Sequence, residues 1–390
     1  MTKCKFSKFI LALFSMCLMF SISCNTLERA DEEERPFSLE KSPQTFDPVW
    51  SFQPGLADLD NDGDLDAVLP NMGKNFTQVL FNNGKGEFED SGQKLTQQGH
   101  GVGIGDLDGD GDLDCIVTCA GYGENEVYSY KPTKIYLNDG SGVFEDSGLD
   151  LRDGVKGRGG YVVGLPDLDG DGDLDFVKGL FRAPTKIFLN DGKGRFSDSG
   201  TTLPQNSFLG DLDSDGDLDV FAKDAGSGYR TLLNNGDLDF VEHWKGEDIH
   251  ALGSVKDAAL GDLDGDGDLD VFITNGDRSG SFPSSVWIND GTGRFTDSEQ
   301  ELGSTFFGWP VLGDINEDGS LDAFISNFQQ PNQVWLNDGS GNFTDSGLSL
   351  SGEATTRGCA LGDLDGDGDL DIFVANFRTG SNEIWFNRTR

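Results

Sequence analysis

Seven times along the chain, aspartates recur at every second position of a nine-residue stretch, and that spacing implies a particular chemistry. The first copy holds Asp58, Asp60, Asp62, Asp64 and Asp66, and the second Asp106, Asp108, Asp110, Asp112 and Asp114. The third holds Asp167, Asp169, Asp171, Asp173 and Asp175, and the fourth Asp211, Asp213, Asp215, Asp217 and Asp219. The fifth holds Asp262, Asp264, Asp266, Asp268 and Asp270, and the seventh Asp363, Asp365, Asp367, Asp369 and Asp371. Only the sixth departs, with Asp314, Asn316, Asp318, Ser320 and Asp322. Carboxylates packed this densely repel one another unless a cation lies among them. Ca2+ takes six to eight oxygens from carboxylates, carbonyls and water. Side chains at positions one, three, five and nine, with the carbonyl of position seven, are predicted to wrap one ion per loop, up to seven in all. Mg2+ prefers a smaller octahedral shell and suits such a loop less. Position six is glycine in every copy, from Gly63 to Gly368, as a sharp left-handed turn requires. An EF-hand is excluded, because its loop needs Glu at position twelve and flanking helices. Here that position is Leu69, Val117, Lys178, Ala222, Ile273, Ile325 or Val374, each inside a strand-like run.

The elements that must position these loops follow from their period. Copies start 44 to 61 residues apart, room for four short strands and their turns, which is one propeller blade. A small apolar stretch precedes each loop (Gly103-Ile104-Gly105, Ala259-Leu260-Gly261, Ala360-Leu361-Gly362) and suits the crowded innermost strand around a channel. A β-branched or aromatic run follows, such as Val271-Phe272-Ile273-Thr274. The third strand ends in Asn-Asp-Gly, read here as the positive-φ residues of a tight hairpin. The fourth begins with Phe, as at Phe144 and Phe343. The seventh copy lacks its fourth strand after Ile384 to Asn387, and Phe37 to Glu40 resembles the missing segment. Pairing the two would close the ring and remove an exposed sheet edge. The expectation is an all-β, seven-bladed β-propeller over residues 36–390, with one Ca2+ loop per blade, closed by its N-terminal strand.

Asp-x-Asp-x-Asp-Gly-x-x-Asp loops in blade-length repeats resemble the FG-GAP/VCBS-type repeats, related to the propeller of integrin α-subunits. The resemblance covers residues 36–390 and implies that the carboxylates at positions one, three, five and nine are calcium ligands. Asn316 and Ser320 depart from the pattern, and weaker binding is expected in the sixth loop. The fold says little about activity, because one fold carries many functions.

Residues 1–24 read as a secretory signal: Lys3, Lys5 and Lys8 precede an apolar run from Phe9 to Phe20. Ser21-Ile22-Ser23-Cys24 resembles a lipobox, so Cys24 is the expected lipid anchor of an outer-membrane or cell-surface lipoprotein. The alternative is plain cleavage and an extracellular or periplasmic protein. Residues 25–35, with Asp31 to Glu34, form an acidic tether. Of six cysteines, Cys115 and Cys119 fall on one predicted strand, too far apart to bridge, so disulfides are not expected to hold the fold. A net charge of −40 excludes nucleic acid as partner, since a polyanion would be repelled.

Function is expected on the face opposite the loops, where connections vary most. Arg152, Arg158, Arg182, Arg230, Arg278, Arg357 and Arg378 fall there, with Tyr122, Tyr128, Phe181, Tyr229, Phe282, Phe306, Trp309, Phe328 and Phe377. Arginine beside aromatic rings suits sugars or protein side chains. Six residues before each first loop Asp stand Phe52, His100, Tyr161, Gln205, Lys256, Gly308 and Arg357, expected to ring the channel mouth. The reading is therefore a monomeric, calcium-binding propeller that recognises an extracellular glycan or protein. The alternative is a lyase on acidic polysaccharide, with His100, Tyr161, Lys256 and Arg357 as base, acid and charge neutralisers.

Overall fold

The computed structural model describes residues 37–47, 49–119, 132–151, 160–180, 183–223, 228–246, 255–277, 280–352, 355–378 and 380–389. It excludes the side chains of residues 255, 256, 277, 280 and 281. The expected leader and acidic tether, with Cys24, lie outside it. So do Tyr122, Tyr128, Arg152, Arg158, Phe181, Arg182 and Arg278.

Among the described residues every regular element is a β-strand, and the strands form seven antiparallel sheets. Blade two shows the common order: Gly99–Gly105, Asp114–Cys119, Thr133–Asn138 and Phe144–Leu151, each paired with the next. The first strands of all blades neighbour one another in sequence order, and that of blade seven (Thr356–Gly362) meets that of blade one (Gly55–Ala57). The ring is thus closed around its first strands. Their small residues are needed there: a methyl on Gly105 would lie 2.6 Å from Leu174 of the next blade.

Closure follows the expected route. Blade seven takes its fourth strand from the N-terminal side: Leu39–Lys41 pairs antiparallel with Glu383–Asn387, Leu39 opposite Asn387. Lys41 adds an ion pair to Glu383 at 2.7 Å. Blade five carries more than expected. A fifth strand, Leu302–Thr305, pairs with the long third strand Gly280–Asn289.

The hydrophobic core lies between blades. Leu59, Val68 and Val79 of blade one pack against Cys115, Val117, Tyr136 and Phe144 of blade two, and six further clusters repeat the arrangement round the ring. Position two of each loop (Leu59, Leu107, Leu168, Leu212, Leu263, Ile315, Leu364) is buried in the cluster towards the following blade. Cys119 is a buried free thiol, and so are Cys115 and Cys359, which lie in these seams. Tyr229 belongs there too. It is expected on the face opposite the loops but is 1% exposed, stacked on Phe221 and edge-on to Trp287, because its strand turns that side toward blade five.

Candidate metal centres

Each Asp-rich loop joins the first strand of a blade to the second and is built by its own carboxylates. In loop one, Asp58 accepts the N–H groups of Asp62 and Gly63, both at 3.1 Å, and Asp62 accepts that of Asp64 at 2.9 Å. The position-six glycines all have φ between 92° and 99°, as predicted. Position four is left-handed as well, including the non-glycines Asn61, Ser214 and Glu317, which sequence reading did not foresee.

Position nine is the best-buried carboxylate of the loop. Asp66, Asp114, Asp175, Asp219, Asp270, Asp322 and Asp371 are all 0% exposed. In each, one oxygen accepts the N–H of position two and the other that of an asparagine ending the third strand, as Asp114 does from Leu107 and Asn138. Burial pushes their carboxyls up from 3.8 to about 6, and Asp371 to about 7, against the pull of the two N–H donors. Burial, helped by the neighbouring position-five carboxylate, also raises Asp60, Asp108, Asp169, Asp213 and Asp264 at position three. Without a cation the loops therefore hold their negative charge at a cost.

The residues present fit a metal ion. The Oδ1 atoms of Asp60, Asp108, Asp213 and Asp365 are sealed from solvent and have no hydrogen-bond partner. Such an orphaned anionic oxygen is costly unless something positive meets it. Ligand atoms of Asp106, Asp108 and Asp114 lie within 4.8 Å of one another, as do those of positions one, three and nine in blades three and five. In blades one and four the converging set is positions one, three and five. These Asp clusters could each bind a metal ion. Position seven differs: Asp64, Asp112, Asp173 and Asp268 lie under the turn glycines Gly84, Gly140, Gly192 and Gly291. In loop six the Asn316 amide donates to Asp318 at 2.8 Å, so a donor stands where other loops offer a second anionic oxygen.

The Asn-Asp-Gly triplets do something other than the expected turn chemistry. Asn138 pairs with Phe144, leaving five residues in the turn, and the positive φ values fall on Gly140 and Gly142. The asparagine itself is a clasp between blades. Asn138 Nδ2 donates to the carbonyl of Leu59, position two of the preceding loop, at 2.7 Å, and to that of Leu113 in its own loop at 3.2 Å. Asn82, Asn190, Asn289 and Asn337 make the same pair of bonds, and Asn387 makes the one to the preceding blade. The signal was present: asparagine holds this position in all seven copies, including blade seven, where Arg388-Thr389 replaces Asp-Gly.

On the opposite face, the channel-mouth residues meet their neighbours rather than one common point. His100 lies against Phe52, the rings tilted by 37° with centroids 4.2 Å apart. The Arg357 guanidinium lies 6.0 Å from Phe52, 4.5 Å from Phe328, and 5.2 Å from Trp309 and Phe377. Arg378 lies over Trp50 at 5.1 Å, and Trp50 is 40% exposed. Tyr161 packs against Gly179 and reaches Asn206 at 3.4 Å, and burial raises its phenol above the ordinary value. Gly308 faces Thr274. Lys256 is on the innermost strand of blade five, and its side chain lies outside the described residues.

The model of the FG-GAP-like repeat matches residues 58–117, 106–178, 167–222, 211–273, 262–325 and 314–374. Cartilage acidic protein 1 of Mus musculus is 28% identical over 173 residues, covering 40% of this chain and 27% of that protein. The Xenopus tropicalis protein of the same name is 30% identical over 176 residues, with the same coverage. The match thus spans about a quarter of the length of these relatives. Among solved structures, BBS1N in complex with ARL6DN, soaked with lead, superposes with a TM-score of 0.56 at 9% identity, covering 89% of this chain and 95% of that one. At that identity the likeness is one of fold.

Proposed function

The chain belongs to the FG-GAP-like repeat family, and on that premise we propose that it is a calcium-stiffened recognition module working outside the cell. The sealed, partnerless oxygens of position three carry this reading, each lying beside further carboxylates in a loop that also builds a seam between blades. A hard divalent cation satisfies such a set, and Ca2+ suits its all-oxygen ligands. Positions one, three, five and nine would hold it, with the position-seven carbonyl, less tightly in loop six. The ion would supply charge neutralisation, and the chain's own hydrogen bonds carry the resulting order into the seams.

Export is supported by the basic, apolar and small-residue order of residues 1–24, with Cys24 as the lipid-anchored terminus. Outside the cell, calcium is concentrated enough to fill even modest sites. The face for recognition is the one opposite the loops, where Arg357 and Arg378 stand among Trp50, Trp309, Phe328 and Phe377. Arginine over aromatic faces suits a protein side chain or a sugar. BBS1N, which shares the fold, was crystallised with a protein partner, and that favours a protein ligand bound by a monomeric ring. A lyase acting on acidic polysaccharide is the second reading, favoured by His100 and Arg357 both meeting Phe52. Burial raises the Tyr161 phenol above its ordinary value and makes it a weaker proton donor, which counts against that reading.

Thermal melts of the calcium-loaded and chelator-stripped protein test the metal. Stripping is expected to lower the midpoint of the whole domain, and an unchanged midpoint refutes the calcium reading. Binding to glycan and protein arrays, with absorbance followed for unsaturated uronate, separates binder from lyase.

A further inference from the structure

Blade seven breaks the common pattern at one place. In the other six blades the asparagine that ends the third strand is followed by Asn83, Asp139, Asp191, Asn235, Asp290 or Asp338, then by glycine. In blade seven it is followed by Arg388 and Thr389. This turn sits directly above the loop of its own blade: a methyl on Gly140 would come within 2.6 Å of the Asp112 carboxylate. A cationic side chain here has the loop within reach.

Arg388 uses that reach. Its Nη1 lies 2.7 Å from Asp365 Oδ2 and 3.4 Å from Asp367 Oδ2, at positions three and five of loop seven. Its Nε lies 3.4 Å from Glu40 on the closing strand, and the guanidinium rests over Phe386 at 4.7 Å. The same Asp365 carboxylate keeps its Oδ1 sealed and without a hydrogen-bond partner. One oxygen is left for a cation while the other is committed to arginine. Asp369 at position seven is buried at 1% exposure in this loop, whereas its counterparts in the other blades are half-buried or exposed.

We propose that Arg388 sets the cation affinity of loop seven, making it a weaker Ca2+ site than the all-Asp loops of blades one to five. The proposal rests on the calcium reading above and concerns what distinguishes one loop from the rest. The affinity of a calcium loop follows its ligand charge. A guanidinium bonded to two of the loop's ligand residues cancels one negative charge and repels the incoming ion. The ring then holds a second weak loop beside loop six, one that empties early as calcium falls, and it lies in the blade where the closing strand is paired.

Calcium titration of the stripped full chain by calorimetry tests this, with Lys245→Gln as a control that removes the same charge from the outer strand of blade four. Arg388→Gln is expected to move one site from the weak class to the tight class, a gain of about tenfold in affinity. Asp139→Arg, which places the same side chain at the exposed turn of blade two, is expected to weaken one tight site by a similar factor. The second variant carries the test if Arg388→Gln fails to fold. The proposal is overturned if Arg388→Gln titrates like Lys245→Gln or binds less tightly, or if Asp139→Arg leaves every tight site in place. If the unmodified chain takes up no calcium, the calcium reading falls as well. If calcium binds but neither variant redistributes the sites, only this proposal falls.

Discussion

Replacing Asn138 by alanine should unfasten one seam while leaving both blades built. The backbone N–H of residue 138 stays bonded to Asp114, and its pairing with Phe144 is untouched. What is lost is the amide, and with it the bonds to the carbonyls of Leu59 at 2.7 Å and Leu113 at 3.2 Å. A buried carbonyl left without a donor costs about 1–3 kcal/mol. Leu59 is 0% exposed and takes that penalty in full, whereas the Leu113 bond is only partly buried and water relieves some of its loss. Release of the ordered side chain returns a few tenths, so the expected loss is about 2–3 kcal/mol. Asn138→Asp keeps the shape but turns a donor into a carboxylate facing two carbonyl oxygens, and should cost more than alanine. Urea unfolding at saturating calcium measures both. The reasoning is refuted if Asn138→Ala falls within about 0.5 kcal/mol of the parent, or if the aspartate variant is the milder one.

Calcium-free protein should lose stability as pH rises from about 4 to about 6. The seven position-nine carboxyls titrate near 6 to 7 when folded and near 3.8 when not, so the native state binds more protons in that window. Calcium should remove or reverse this dependence, and a calcium-free midpoint that climbs over that range would contradict it. Deleting residues 37–47 strips the partner from Glu383–Asn387 and exposes an edge strand. Light scattering should then report self-association, and a variant that remains monomeric with the parent's melting temperature would show that closure contributes little.

The sequence made the local features readable and left the remote ones hidden. Seven loops, their glycines at position six and the small inner strands each follow from residue type at fixed spacing, because the forces involved act within one loop or one turn. The Asn138 clasp did not follow. Its partner Leu59 is 79 residues away, and nothing near Asn138 indicates a bond across a seam. Asn-Asp-Gly also has a strong local meaning as a turn, and that meaning masked the second one. The strand Leu302–Thr305 was missed because its glycine, Gly303, reads as a turn and breaks the alternation of a strand; in the structure it takes a φ of 55°. Tyr229 was misplaced for the opposite reason. It was assigned to a variable connection, but it opens the strand Tyr229–Asn234, where alternate residues face opposite ways and the aromatic side is the one that meets blade five.

The seam between blades seven and one differs from the other six in time as well as in place. Elsewhere the clasps join residues 72 to 83 positions apart, whereas Asn82 reaches Leu364 across 282 and Arg388 reaches Glu40 across 348. Six seams can form as the chain lengthens, each new blade settling on its predecessor. Leu39–Lys41 is synthesised before all of them and must wait unpaired until Glu383–Asn387 exists. By loop length alone its closure costs about 1 kcal/mol more than any other clasp, a small equilibrium term. The larger consequence is kinetic. For most of synthesis the nascent protein is an open arc with two sticky ends, and a neighbouring arc offers the same strand before the chain's own partner strand has been made. Dimers exchanging that first strand are therefore the misassembly this architecture invites during crowded expression.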